Sequence, residues 1–167
     1  MSALPGRWRV LVAVCLVAAG LGACDFGGEK SPLASAALET IPVGGARRVA
    51  DLSDASADTI CVLYPYHDTV PPEEAASERI NAALARDRFR AEEGHWTVVF
   101  TSGDDVARAT FKRSAGLDVL VMDHADPAVA NMLPATFAPA LCAPGKDAAF
   151  AKVTWRERTY VIFGTLK

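Results

Sequence analysis

From about residue 58 onward this sequence predicts an α+β domain: a small, mostly antiparallel sheet of four to six strands with one main helix packed on one face. Three observations lead there. Short apolar runs of strand-forming residues recur at 59–64, 96–101 and 117–122, each closed by a Pro, Gly or Asp turn. One stretch after Pro71 carries apolar residues at helical spacing. Two further runs at the C-terminus are separated by three polar residues, as in a hairpin. Antiparallel pairs with one helix on a face make the α+β arrangement.

Taken in order, Thr40–Val49 suggests a short strand, and Thr59–Tyr64 a buried one that Pro65 ends. Pro71-Pro72-Glu73-Glu74 reads as a helix start, with proline tolerated in the first turn and acids facing the positive end of the dipole. Ala76, Ile80, Ala83 and Leu84 share one face of that helix, and Phe89 falls opposite, so the helix should end near Arg88. Trp96–Thr101 is the next strand, and Ser102-Gly103-Asp104-Asp105 a turn. Val106–Arg113 fits strand or helix equally. Leu117–Met122 reads as another strand, closed by Asp123–Pro127. Four prolines between 127 and 147 rule out one long helix there. Ala149–Trp155 and Thr159–Thr165 form a terminal hairpin around Arg156-Glu157-Arg158.

The first 24 residues carry a different signal. Arg7 and Arg9 give a positive start, and Val10–Ala23 follows without a charge. Those 14 residues span about 21 Å as a helix, short of the ~30 Å hydrocarbon core, so a cleaved signal peptide fits better than a membrane span. Leu21-Gly22-Ala23-Cys24 then resembles the lipobox of bacterial lipoprotein signal peptides. The resemblance covers only these residues. It implies cleavage before Cys24, diacylglycerol on the Cys24 thiol and anchoring by acyl chains, two of which hold a protein stably on a bilayer. Asp25 resembles the signal for retention at the inner membrane. The implied location is the cell envelope, facing the periplasm.

The expected organisation is therefore a signal peptide over 1–23, an acylated Cys24 with a flexible tether over 24–57, and a single globular domain over 58–167. Gly27-Gly28, Ser31-Pro32, Gly44-Gly45 and a lone aromatic, Phe26, support the tether. Such a tether reaches about 30 Å r.m.s.. Of the 17 Lys and Arg, removing Arg7 and Arg9 leaves 15 against 20 acids, a net charge of −5. A net-acidic body without a basic cluster argues against a nucleic-acid partner. With Cys15 in the signal and Cys24 acylated, Cys61 and Cys142 remain, and in an oxidising compartment they are expected to pair as a disulfide. Neither belongs to a Cys-x-x-Cys pair, which argues for a staple rather than a redox centre.

The three histidines, His67, His95 and His124, are scattered, unlike the clustered imidazoles of metal sites. Asp123-His124-Ala125-Asp126 is the best local ligand set, but a polar turn before Pro127 explains it as well. Ser102-Gly103-Asp104-Asp105 lacks the Gly-x-Ser-x-Gly of a nucleophile elbow and the glycines and lysine of a phosphate loop. No catalytic motif and no cofactor is expected. Aromatics gather at Tyr64-Pro65-Tyr66-His67 and at Trp155, Tyr160 and Phe163, either as packing or as a binding face. The expectation is a non-enzymatic envelope lipoprotein that binds another protein, as an assembly component or an immunity-type inhibitor. The alternative is a small-ligand or cation binder using Asp104, Asp105, Asp123, His124 and Asp126. An envelope hydrolase, the third choice, needs a histidine within hydrogen-bond reach of a serine.

Overall fold

In the apolar runs of this chain, side chains on both faces of the strands are buried, which one sheet with one helix cannot achieve. The computed structural model, which describes residues 31–122 and 125–167, resolves this with two sheets. The elements in chain order are α1 (Ser35–Glu39), β1 (Ala46–Arg48), β2 (Thr59–Leu63), α2 (Ser77–Arg86), β3 (His95–Ser102), β4 (Asp105–Lys112), β5 (Asp118–Val119), α3 (Pro127–Ala130), β6 (Phe137–Pro139), β7 (Cys142–Pro144), β8 (Ala148–Trp155) and β9 (Arg158–Leu166). One sheet runs β4-β3-β2-β7. The other runs β1-β8-β9-β5, with β6 also on β9. All pairings but β5–β9 are antiparallel. The single small sheet expected from the sequence is thus corrected to a two-layer stack of nine strands, while the mostly antiparallel pairing and the one main helix stand.

Alternation along the strands builds the layers. Ile60, Val62, Trp96, Val98 and Phe100 from the first sheet meet Phe150, Val161 and Phe163 from the second in the main core. Trp96 stacks on Phe111 at 4.4 Å and meets Phe150 edge-on. The alternate residues Cys61, Leu63 and Val99 face Ile80 and Leu84 of α2. On the far side, Ala151, Val153 and Ile162 face Val129 of α3.

The tether expected over 24–57 is ordered from Ser31. Leu33, Leu38, Ile41 and Val49 are all buried in the main core. Lys152, itself buried, donates from Nζ to the Glu39 carbonyl at 2.8 Å and so ties α1 to β8. The apolar spacing of these four residues was diluted by the Gly, Pro and Ser around them, and this hid the core positions. Cys24 lies outside the described residues, as do Asp123 and His124. Among the described residues no helix is long and apolar enough to cross a membrane.

The main helix starts at Ser77, six residues after the expected Pro71. Residues 71–76 form turns instead, and Ala76 is left-handed with φ 60°. The Ser77 hydroxyl donates to the Pro72 carbonyl at 3.0 Å. At the other end Arg88 takes φ 53°, with Arg88 N–H bonded to Ala85 and Phe89 N–H to Leu84. This is a Schellman ending with arginine where glycine is usual. It folds Phe89 back beside the α2 cluster, so the residue expected opposite the helix face packs with it. Val106–Arg113 resolves as strand β4. The run expected as strand over Leu117–Met122 shortens to the two residues of β5.

Residues 137–148 cross between the sheets twice, since β6 pairs with β9, β7 with β2, and β8 again with β9. Gly145 makes the second crossing, where a Cβ would collide with the Ala57 carbonyl. Cys61 and Cys142 sit directly opposite in the β2–β7 pair and are joined by a disulfide, with Cα atoms 4.1 Å apart.

Candidate functional site

The crossing between sheets leaves a cleft at one end of the stack. Strand β2 runs out at Leu63, and Pro65 prevents it from continuing. His67 N–H bonds back to the Tyr64 carbonyl at 3.1 Å, which turns the chain and sets the His67 ring edge-on to Tyr64 at 6.1 Å between centroids. Tyr66, left-handed at φ 69° and 67% exposed, points its hydroxyl to Glu93. Asn81 of α2 then clamps the loop, accepting from Val70 N–H and donating to the Val70 carbonyl, both at 2.8 Å. This reciprocal pair fixes the following segment, Pro71–Glu74, relative to the helix.

The cleft is about 330 Å³. It is lined by the buried Tyr64 and Phe163, by Val121, Met122, Pro139 and Leu141, and by His67, Pro71, Glu73 and Glu74. The lining is therefore mostly apolar and includes two carboxylates, of which Glu73 is exposed and Glu74 half-buried. No ion pair engages Glu73 or Glu74 among the described residues. A smaller cleft of about 240 Å³ lies on the other side of Tyr64, lined in part by Phe89, His95 and Thr110. There His95 Nδ1 stands 2.9 Å from a Glu92 carboxylate oxygen.

The structure gathers some of the expected residues and separates others. Tyr64, His67 and Phe163, from two distant aromatic groups, meet in the larger cleft. Trp155 and Tyr160 instead line a shallow hollow beside α3, with Arg156 stacked on Trp155. Asp126 caps α3 by accepting from Ala128 N–H at 3.0 Å. Asp104 and Asp105 lie at the β3–β4 hairpin of the other sheet. These acids do not share a pocket with Asp126, and no three metal-ligating side chains cluster among the described residues. Among the described residues, neither His67 nor His95 hydrogen-bonds a serine.

One feature escaped the sequence reading. Asp118 is fully buried, and its carboxylate takes a forked pair of bonds from Arg113 at 2.7 and 3.1 Å. It takes one more from Arg158 at 2.9 Å and another from Val119 N–H at 2.8 Å. Burial pushes this carboxyl up, but the bonds from Arg113, the Val119 amide and Arg158 outweigh it and hold the pKa below the ordinary value of 3.8. The same pairing raises the Arg113 pKa. The signal was a charge inside the apolar run Leu117-Asp118-Val119. Its role is to join β4, β5 and β9 where their ends meet.

No protein-family model, no curated protein and no solved structure matches this chain.

Proposed function

We propose that this chain is an exported lipoprotein, held on a membrane through acyl chains on Cys24, whose folded domain binds a basic segment of another envelope protein. The observation that carries the binding half is the larger cleft: a mostly apolar lining with two carboxylates, Glu73 and Glu74, that no ion pair engages among the described residues. A partner's apolar side chain would be desolvated against Tyr64, Leu141 and Phe163, while a neighbouring Lys or Arg meets the carboxylates. The net-acidic composition of the mature chain favours the same class of partner. The disulfide supports an oxidising compartment, and the Arg7–Cys24 pattern supports the anchor.

Two measurements test the two halves separately. Cys24→Ser should move the protein from the membrane to the soluble fraction and remove a lipid-sized increment from its intact mass; a variant that stays on the membrane refutes the anchor. Cross-linking in intact cells followed by detergent capture should recover a protein partner with the wild type and lose it with Glu73→Lys/Glu74→Lys. Equal recovery from both forms would remove the cleft from the interface.

A further inference from the structure

We infer that β4 is a pairing edge through which two copies of this chain join their sheets across a two-fold axis at Ala109. A sheet edge presents unpaired N–H and C=O groups, and folded proteins blunt such edges by making them short or by placing proline there. Three edges here follow that rule. β1 has three residues, β7 has three with Pro144, and the β5/β6 side has two and three with Pro139. The fourth does not. β4 runs eight residues with no proline, paired to β3 without a bulge from Asp105↔Ser102 to Lys112↔His95.

Which groups face outward follows from the register. Arg113 N–H bonds the Gly94 carbonyl, so 113 and every second residue before it turn toward β3. The close side-chain contact of Thr97 with Thr110, 3.0 Å between hydroxyls, marks that pair as a non-hydrogen-bonded one and agrees. Val106, Arg108, Thr110 and Lys112 therefore present their N–H and C=O groups outward. None of these groups has a partner among the described residues.

A second copy fits this edge in one register. With Ala109 opposite Ala109 of the other copy, Val106 faces Lys112 and Arg108 faces Thr110, twice each by symmetry. Four facing pairs exchange two bonds each, and every outward group is satisfied. Asp105, exposed at one end of β4, falls opposite Arg113 of the other copy. Sliding by two residues either way leaves three facing pairs. It also sets Arg108 against Arg108, or Arg108 against Lys112, and like charges directly opposite are unfavourable. The sequence of the edge is thus complementary to itself in the register that uses it fully. None of the residues lining the larger cleft belongs to β4, so this surface and the proposed partner site are independent.

The test uses the full chain in detergent. Sedimentation at rising protein concentration should show the mass doubling. Over the same range, hydrogen exchange should slow at the amides of Val106, Arg108, Thr110 and Lys112. Thr110→Pro removes one outward N–H and no backbone bond to β3, losing only the hydroxyl bond to Thr97, and edge strands tolerate such a proline. It should abolish the dimer with an unchanged circular-dichroism spectrum, and Thr110→Val, which loses the same hydroxyl bond but keeps the N–H, should still dimerise. Asp105→Arg, which sets two arginines opposite each other at both ends, should weaken the dimer while keeping the fold. The inference is overturned if the wild type stays monomeric throughout. It is equally overturned if a dimer forms while the four amides remain fast, or if Thr110→Pro dimerises as well as the wild type.

Discussion

At the scale of single residues, Asp118 shows how a buried charge is kept. Its carboxylate is fully shielded, yet both guanidiniums that hold it reach water, with side chains 38% and 43% exposed. Asp118→Ala would leave the Val119 amide without its acceptor and release two arginines that can resolvate. A loss of about 2–3 kcal/mol is expected, less than for a fully interior pair. The pH dependence has a definite sign. A carboxyl with a lowered folded-state pKa stabilises fully above its unfolded value, 3.8, and that effect is lost as the pH falls from there toward the lowered one. The stability gap between wild type and Asp118→Asn, read from urea unfolding, should stay constant from neutrality to about pH 5 and shrink below about pH 4. A gap that closed between pH 7 and 5 would mean that Asp118 titrates above its ordinary range. The residue was visible in the sequence as an acid in an apolar run. Its partners were not, because Arg158 lies 40 positions away and only the parallel β5–β9 pairing brings it near.

Among the elements, the terminal hairpin was the most legible. Its two runs alternate around a polar link, and β8 and β9 extend the expected strands by only a residue or so at either end. The turn itself is unusual. Arg156 and Glu157 both take positive φ, 48° and 64°, where glycine or asparagine is favoured. Arg156 is occupied by its stack on Trp155, whereas no ion pair engages Glu157 among the described residues. Glu157→Gly should therefore raise stability by about 0.5–1 kcal/mol, measured as a higher denaturant midpoint at unchanged slope. A lower midpoint would show that Glu157 contributes an interaction outweighing its backbone strain. The β4 segment resisted assignment because its small residues, Ala107 and Ala109, suit helix and strand alike. The tight turn at Gly103, with φ 53°, commits it to pairing with β3. The start of α2 was misread for a related reason. Pro71-Pro72-Glu73-Glu74 has the composition of a first helical turn, but it sits in the loop that walls the cleft.

On the scale of the whole molecule, composition foretold a mixed, mostly antiparallel domain but not its division into two sheets. That division depends on which strand each short run chooses as neighbour, and the runs around Pro139 and Pro144 are too brief to carry a pattern. The cleft was equally hidden, since it joins Tyr64 to Phe163 across almost a hundred residues. The disulfide links residues 81 apart and so holds the late-arriving β7 on β2. Replacing both cysteines by alanine should lower the unfolding free energy by about 2–4 kcal/mol. A loss under about 1 kcal/mol would show that the strand pairing holds without it. The burial of Leu33 bears on how far the domain can range. It stands nine positions beyond Cys24, and fully stretched those nine steps cover about 30 Å, roughly one diameter of a domain this size. Were Cys24 the anchor proposed above, the domain would ride as a buoy on a short line rather than as a kite, its near face never farther from the lipid than about its own diameter.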